Sequence, residues 1–309
     1  MIPSKIAANA LSAALITLCV LPFRLSATDY AAGLPQIPGE YVDVGTHRLH
    51  HRCEGEGSPT IVIDNGIAGS ATEWYTVQEN LAHRFRICVY DRAGYAWSEP
   101  GPAPRTTEQI ADELKRLLEV RGEAPPYIFV GHSFGGFTAL RMTSLFPEQA
   151  IGVVLVDSSS PDIFFEHEVP RRDLVNPIAA GAATGTDKVP STSQEMARFL
   201  NSRRKALFVQ MDEIANFKVS ATQVPTAETI RVLPMLIIAR DAQTESNSTL
   251  LSQNRETQWR HAQEKLSQMS SKGRLKIASG CDHFIHLCNP KWLAREIEVF
   301  IDELVSKGI

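Results

Sequence analysis

The stretch from Tyr127 to Leu140 constrains the fold of this chain more than any other part of the sequence. Four apolar or aromatic residues, Tyr127–Val130, precede the pattern Gly131-His132-Ser133-Phe134-Gly135, and a helical run follows. A strand that turns abruptly into a helix brings backbone segments too close for a Cβ, so glycines are needed on both sides of the serine. Such a turn pushes the hydroxyl of Ser133 over the sheet edge, at the positive end of the helix. Ser133 is therefore a candidate nucleophile.

Two strand-like segments follow residue 39, and short runs that are mostly apolar recur from Thr60 onward. Most of the later runs are separated by stretches long enough for helices. The predicted strands are Glu40–Val44, His47–Arg52, Thr60–Ile63, Arg86–Tyr90, Tyr127–Val130, Ile151–Val156, Leu233–Ala239 and Leu275–Ala278. Strands of this type that alternate with helices predict an α/β fold, in which a parallel sheet is covered by helices on both faces.

Charge and length limit the classes of function. The net charge is −4 over 309 residues, with no cluster of lysine and arginine. Nucleic acids need a basic face for their phosphates, so we expect no nucleic-acid partner. The length suits one catalytic domain with an insertion.

The first 27 residues predict a targeting segment. Lys5 precedes a nearly uninterrupted apolar run over residues 6–23, and Leu25-Ser26-Ala27 supplies small residues typical of a signal-peptidase site. We therefore expect export to the periplasm or the medium. Retention as a membrane anchor is the alternative, because the run approaches the roughly 20 apolar residues that span a bilayer.

Three segments carry a resemblance to a known family. Val89–Ser98, the turn Gly131–Gly136 and Val154–Ser158 resemble bacterial α/β-hydrolases of the esterase and lipase type. The resemblance covers residues 39–160 and then Leu233 to the C-terminus. It implies an eight-stranded, mostly parallel sheet with a helical cap after the sixth strand.

The resemblance divides the chain into regions. Residues 28–38, rich in proline and glycine, predict a linker. The α/β-hydrolase domain is expected over residues 39–309, with the cap at about 161–231, where charged and apolar residues alternate at helical spacing around a break at Ala179–Gly185. Caps of this kind exclude water and gate product release, so substrate choice is expected to reside there.

A serine nucleophile needs a base, and the family order places the acid and then a histidine after the serine. His283 follows the last predicted strand in a glycine-containing turn, where the family keeps its base. His132 adjoins the nucleophile, but neighbouring side chains on such a turn point apart, so it is interpreted as structural. His286 is interpreted as support for the loop of His283.

Two aspartates are candidates for the triad acid. Asp241 follows the seventh predicted strand, where most of the family holds its carboxylate, although Arg240 replaces the usual glycine. Asp157 follows the sixth strand, from which some relatives take the acid, and it is slightly preferred. Either carboxylate would hold the imidazole in the required tautomer. Asp282 is expected to face solvent.

The oxyanion hole is predicted at two backbone N–H groups. Phe134 follows the nucleophile, and Ile67 lies in the loop after the third strand, which aligns with the family's His-Gly-x loop. Asn65 stands where many relatives have histidine, so the side-chain support of this loop departs from the family pattern. Asp91-Arg92, at another strand end, is interpreted as a structural turn with an ion pair.

Three aromatic residues are candidates for contact with the substrate, namely Trp74, Phe164 and Phe165, with ordinary core packing as the alternative. Cys281, His283, His286 and Cys288 superficially suggest zinc. A tetrahedral arrangement is not indicated and His283 is better explained as a base, so no metal and no other cofactor is expected.

The cysteines outside the leader form an even set, which suits an oxidising compartment, with buried free thiols as the alternative. In the family sheet the second and fourth strands are neighbours, which implies a disulfide between Cys53 and Cys88. Cys281 and Cys288 would then close the loop of His283.

The activity implied by these residues is acyl transfer on a small, apolar ester through an acyl-enzyme. Lactonase, amidase, C–C hydrolase, cofactor-free peroxidase and hydroxynitrile lyase chemistries remain alternatives on this fold. A non-catalytic ligand-binding protein is a further alternative, because fold does not guarantee function. A membrane is a partner only if the N-terminal segment is retained.

Overall fold

Residues 36–162, 193–241 and 250–308 are described by the structure, a computed structural model. The strands form a single eight-stranded sheet in the order β1-β2-β4-β3-β5-β6-β7-β8. The strands are β1 Glu40–Asp43, β2 Arg48–Glu54, β3 Thr60–Asp64, β4 Arg86–Tyr90, β5 Tyr127–His132, β6 Ala150–Val156, β7 Met235–Arg240 and β8 Gly273–Ala278. The predicted fold class is confirmed.

The sheet is antiparallel at one edge and parallel elsewhere. Strand β2 pairs antiparallel with β1 and with β4. From β4 onward every pairing is parallel. The carboxyl ends of β3, β5, β6, β7 and β8 therefore meet at one edge, which is where open α/β sheets bind ligands.

Helices cover both faces of the sheet. The helices are α1 Tyr75–Leu81, α2 Thr107–Arg121, α3 Gly135–Leu145, α4 Ser193–Asn201, α5 Arg204–Ala215, α6 Phe217–Thr222, α7 Leu250–Gln268, α8 Ile285–Cys288 and α9 Pro290–Ser306. Alternate side chains of a strand point to opposite faces. In β3, Ile61 and Ile63 join the core formed with α1 and α9, whereas Val62 joins the core formed with α2 and α3.

The predicted strands all occur, but some boundaries differ. Strand β7 begins two residues later than predicted, because the N–H of Leu233 donates to the carbonyl of Ile230 in a turn. Strand β8 begins two residues earlier, because Gly273 pairs with Met235 although it adds no apolar side chain. Backbone pairing extended this strand beyond its apolar pattern.

The cap insertion lies between β6 and β7. Its described part consists of α4, α5 and α6. The predicted break at 179–185 lies outside the described residues, as do the leader and the linker up to residue 35. Among the described helices, none combines the length and apolar character needed to cross a membrane.

Two disulfides are present. Cys53–Cys88 joins β2 to β4 at positions that face each other in the sheet register. Cys281–Cys288 closes the loop after β8. Both predicted pairings are confirmed.

Candidate active site

Ser133 occupies the sharp turn between β5 and α3. Its φ is 51°, in the left-handed region that costs free energy for a residue other than glycine. A Cβ on Gly131 would lie 2.5 Å from the carbonyl oxygen of Gly135, and a Cβ on Gly135 would lie 2.4 Å from that of Asn65. Glycine is therefore required on both sides of the serine.

The turn is tied to the chain that follows β6. The N–H of Ser133 donates to the carbonyl of Val156 (3.2 Å), and the carbonyl of Ser133 accepts from the N–H of Ser159 (3.0 Å). Asp157 lies between these two partners. The backbone thus fixes Ser133 and Asp157 side by side at the carboxyl edge of the sheet.

The carboxylate of Asp157 is fully buried and accepts four hydrogen bonds. Its Oδ2 accepts from His283 Nδ1 (2.6 Å) and Arg240 Nη1 (2.9 Å), and its Oδ1 accepts from Trp259 Nε1 (2.8 Å) and the Arg240 N–H (3.0 Å). Burial would raise the pKa of Asp157, but the hydrogen bond from His283 and the charge of Arg240 outweigh it and lower the pKa to about 2. Asp157 is therefore an anion at neutral pH.

Arg240 and Trp259 were missed by the sequence reasoning as site residues. Arg240 bridges Asp157 to Glu256 (2.7 Å) and packs over the ring of Trp259 at 4.7 Å. Trp259 comes from α7, distant from the strand-end motifs in sequence. For Arg240 a signal existed, since it occupies the end of β7 at the edge where Asp157 lies.

Asp241, the other candidate acid, contacts the turn before His283. Its Oδ2 accepts from the Gly280 N–H (3.0 Å), and its own N–H donates to the carbonyl of Cys281 (2.9 Å). The carboxylate at Nδ1 of His283 is that of Asp157. Asp241 thus stabilises the turn that precedes His283.

The imidazole of His283 is partly open to solvent, with 30% of its side chain exposed. Its ring meets the indole of Trp259 edge-on at a centroid distance of 5.9 Å. The neighbouring Asp282 is exposed, as predicted, and its Oδ1 accepts from the Phe284 N–H (3.0 Å).

His132 contacts the backbone of the candidate base. Its Nε2 lies 3.0 Å from the carbonyl oxygen of His283. A carbonyl only accepts, so Nε2 of His132 carries the proton. Burial and the nearby His283 lower the pKa of His132 to about 3, so the ring is neutral. The structural interpretation of His132 therefore gains a specific contact, which fixes the loop of His283 against the nucleophile turn.

Trp74 does not line a substrate site in this structure, which corrects one prediction. Its side chain is fully buried in the core beside α1 and stacks on His286 at 4.5 Å, with the ring planes 3° apart. His286 is also buried, and burial holds its pKa well below the ordinary value. The alternative of core packing is the correct one for Trp74. Phe164 and Phe165 lie outside the described residues.

The loop from Asn65 to Ser70 passes over the nucleophile turn. A Cβ on Gly66 would lie 3.1 Å from Cβ of Ser133. In the described part of the chain, neither the N–H of Ile67 nor that of Phe134 donates a hydrogen bond to another residue. Both predicted donors are therefore available beside Ser133.

Arg92 supports this loop, which the sequence did not reveal. Its Nη1 donates to the carbonyl of Asn65 and to Asp64 Oδ1 (2.9 Å), and its Nη2 donates to the carbonyl of Gly66 (2.8 Å). The side chain of Asn65 points elsewhere, with Nδ2 donating to the carbonyl of Tyr90 (3.3 Å). Arg92 thus gives this loop the side-chain support that position 65 provides in many members of the family.

Asp91 and Arg92 are both buried and both form ion pairs, but with other residues and not with each other. Arg92 pairs with Asp64 and Glu213. Asp91 accepts from His50 Nδ1 (2.6 Å) and from the Ala71 N–H (2.8 Å).

Among the described residues, one group has metal-ligand atoms within 4.8 Å of one another: His51, Cys53, Cys88 and Glu123. Its two sulfurs are joined in a disulfide, whereas thiolates are the ligands that metals bind. Both oxygens of Glu123 accept from Arg86 (2.9 Å each). We assign no metal to this group.

The sequence matches a known protein family over most of its length. Residues 59–290 match the family model described as the alpha/beta hydrolase fold. The chain belongs to the α/β-hydrolase family.

The proteins similar to this α/β-hydrolase carry the names of several kinds of hydrolase. A putative carbamate hydrolase of Stutzerimonas stutzeri is 33% identical over 118 residues, which cover 38% of this chain and 44% of that protein. The enol-lactonase of Burkholderia xenovorans LB400 has a TM-score of 0.62 at 20% identity, over 85% of this chain and 100% of that one. A thermophilic esterase of Thermogutta terrifontis has a TM-score of 0.62 at 17% identity, over 86% and 99%.

These likenesses have limits. At such identities the two solved structures show the fold alone. The matches to five curated relatives cover between 20% and 48% of the relatives' own lengths. The family is therefore shown, and the substrate is a matter for proposal.

Proposed function

We propose that this α/β-hydrolase is a serine hydrolase that cleaves a carboxylic ester of a small, apolar substrate through an acyl-enzyme. The observation that carries the proposal is the 2.6 Å contact between His283 Nδ1 and the buried Asp157, beside the strained turn of Ser133. Nucleophile, base and acid then follow β5, β8 and β6, whose carboxyl ends share one edge of the sheet.

The reaction has two halves. His283 Nε2 takes the proton of the Ser133 hydroxyl as the oxygen attacks the ester carbonyl, and the same proton passes to the leaving alcohol. Water then attacks the acyl-enzyme with His283 again as base. Asp157 accepts a hydrogen bond from Nδ1–H, which keeps Nε2 free to act as the base and stabilises the imidazolium that forms. This sequence requires no cofactor.

The N–H groups of Ile67 and Phe134 are the proposed oxyanion hole. Each is available to an acceptor beside Ser133, and charge develops on the carbonyl oxygen only in the transition state. The amide of Phe134 also lies at the positive end of α3.

An apolar cluster beside these donors supports an apolar substrate. Ile67 and Phe134 belong to a cluster with Phe137 and the cap residue Phe217. The rings of Phe134 and Phe217 lie 5.4 Å apart, and those of Phe137 and Phe217 lie 5.2 Å apart. The three phenylalanines are buried and Ile67 is partly exposed at the edge of the cluster. An apolar edge next to the donors suits an alkyl or aryl group better than a charged one.

We place this activity outside the cytoplasm, exported or held by the leader. Two disulfides support the placement, because disulfides persist in oxidising compartments. Cell fractionation of the full chain and of a chain that lacks residues 1–27 tests it. Equal cytosolic retention of both forms would contradict it.

The enzyme assignment is tested by covalent labelling with a fluorophosphonate probe. We expect labelling of the wild type and of Ser158→Ala, a buried neighbouring serine, and none of Ser133→Ala. Absence of labelling in a folded wild type would favour the ligand-binding alternative.

The bond specificity is tested with a substrate panel. We expect p-nitrophenyl esters to be cleaved with kcat/KM that rises with acyl chain length before it falls. Matched lactones and carbamates form the other arms. A lactone or carbamate preferred over every ester would replace the ester proposal and leave the serine mechanism in place.

A further inference from the structure

The carbonyl groups around Ile67 are held by side chains from outside their loop. Arg92 donates hydrogen bonds to the carbonyls of Asn65 and Gly66. Asn201 Nδ2 donates to the carbonyls of Ala68 (2.7 Å) and Gly69 (3.2 Å). The loop is therefore clamped on both sides of the proposed oxyanion donor.

The clamp by Arg92 sets the direction of that donor. The carbonyl of Gly66 and the N–H of Ile67 belong to one peptide unit, which is planar and trans, so the two groups point in opposite directions. Because Arg92 holds the Gly66 oxygen at 2.8 Å on one side of the loop, the N–H of Ile67 must point to the other side.

Arg92 is itself positioned from the cap. Glu213 of α5 accepts from Arg92 Nε (2.9 Å) and Nη2 (3.1 Å), and its Oε2 also accepts from the hydroxyl of Tyr95 (2.7 Å). Arg92 and Glu213 are both buried. A buried guanidinium is held in place only while carboxylates balance its charge, and Asp64 provides only part of that balance.

Asn201 is the second contact from the cap. It ends α4, and its Oδ1 accepts from the Ala96 N–H (3.1 Å) while Nδ2 donates to the loop. These opposite partners fix which end of the amide faces the loop.

We infer that the cap sets the geometry of the oxyanion hole, with Asn201 and Glu213 as positioning residues. The inference rests on the proposed function and extends it, because caps are expected to select substrate, whereas these two side chains act on the transition state. Interactions that strengthen only in the transition state change kcat more than KM.

The test uses Asn201→Leu, which removes both polar ends at similar volume, and Glu213→Gln, which removes the charge. We expect kcat for a p-nitrophenyl ester to fall about 10- to 100-fold in each variant. This fall does not exceed the fall in kcat that follows the loss of a whole oxyanion donor. KM should change by less than about threefold. Affinity for a trifluoromethyl ketone, whose adduct with Ser133 carries an oxyanion, should fall by the same factor as kcat/KM.

Two matched variants control for a general loss of structure. Glu113→Gln weakens another buried pair, in which Glu113 of α2 accepts from Arg105 (2.6 and 2.7 Å). Asn216→Leu removes a cap asparagine whose Nδ2 donates within the cap, to the carbonyl of Asp212 (2.8 Å). Both should lose thermal stability while kcat and ketone affinity stay within about twofold.

The outcomes separate the two proposals. A folded wild type that neither reacts with fluorophosphonate nor cleaves esters overturns the proposed function. An active wild type whose Asn201→Leu and Glu213→Gln forms keep kcat and ketone affinity overturns this inference alone. If Glu213→Gln does not fold, Asn201→Leu alone decides, and an unchanged kcat there overturns the inference.

Discussion

Asp157 shows how one buried carboxylate can hold two partners. It donates its N–H to the carbonyl of Ile238 (2.7 Å), which anchors it against β7, and it adopts a φ of 41° directly after β6. Its carboxylate then lies between His283 and Arg240. The negative charge is kept by these contacts despite complete burial.

Asparagine at this position is expected to impair the base. Asp157→Asn keeps the shape but favours the wrong imidazole tautomer, so kcat should fall about 10,000-fold. Asp241→Asn weakens the bond to the Gly280 N–H and leaves the contact between Asp157 and His283 in place, so it should cost less than about tenfold. The reverse order, measured with one p-nitrophenyl ester, would make Asp241 the acid.

Glu73 predicts a dependence of stability on pH. Its carboxylate accepts from the Ser70 N–H (3.0 Å) at the end of the oxyanion loop, and burial raises its pKa to about 7 from 4.5. A raised folded-state pKa gives stability that is present below about pH 4.5 and lost as the pH rises through 7.

The variant Glu73→Gln keeps an acceptor for Ser70 and does not titrate. Relative to this variant, the wild type should lose up to about 3 kcal/mol of unfolding free energy between pH 4.5 and 8. Urea unfolding at four pH values measures the difference. A wild type that gains stability relative to Glu73→Gln as the pH rises would show that the sign is wrong.

At the scale of elements, the loop that carries His283 is short and restrained from several sides. The disulfide Cys281–Cys288 closes it, Asp241 holds Gly280, and His132 holds the carbonyl of His283. The loop thus has little freedom to carry the imidazole away from Asp157.

Removing the closure should affect both stability and catalysis. In Cys281→Ser/Cys288→Ser, the opened loop of eight residues should cost about 2.5 kcal/mol of unfolding free energy on the chain-entropy model. We also expect kcat to fall more than KM rises, because a loosened imidazole is less often in the reactive geometry. A variant with unchanged kcat would show that Asp241 and His132 suffice.

At the scale of the whole molecule, the disulfide Cys53–Cys88 fastens the antiparallel edge to the parallel sheet. Its cysteines are 35 positions apart, so its removal should cost more, about 4 kcal/mol. Because β2 and β4 carry none of the proposed triad, Cys53→Ser/Cys88→Ser should keep kcat within about twofold. Denaturant unfolding should therefore show the larger loss of stability in Cys53→Ser/Cys88→Ser, whereas ester hydrolysis should show the larger loss of kcat in Cys281→Ser/Cys288→Ser.

Local patterns made the sheet and two site residues predictable. The turn at Ser133 and the position of His283 each depend on a few neighbouring residues, as do the apolar strands. Asp157 and Asp241 were harder to separate, since both follow parallel strands that lie side by side, about 5 Å apart. Only the spatial contact with His283 distinguishes them.

Long-range contacts explain what the sequence did not show. Arg92 reaches the oxyanion loop from a different strand end, and Trp259 reaches Asp157 from a helix 102 positions away. Trp74 was ambiguous because an aromatic residue in the connection between a strand and a helix suits a core as well as a pocket. Burial decided it, and burial is a property of the assembled fold.

The contacts between the cap and the oxyanion loop bear on how such enzymes can be recombined. Exchanging the whole insertion between two relatives would transfer a new selectivity but would also discard Asn201 and Glu213, and the chimaera would bind its new ligand in front of an unsupported loop. Libraries that keep residues 193–215 constant and diversify elsewhere in the insertion would retain more turnover than libraries that randomise it throughout.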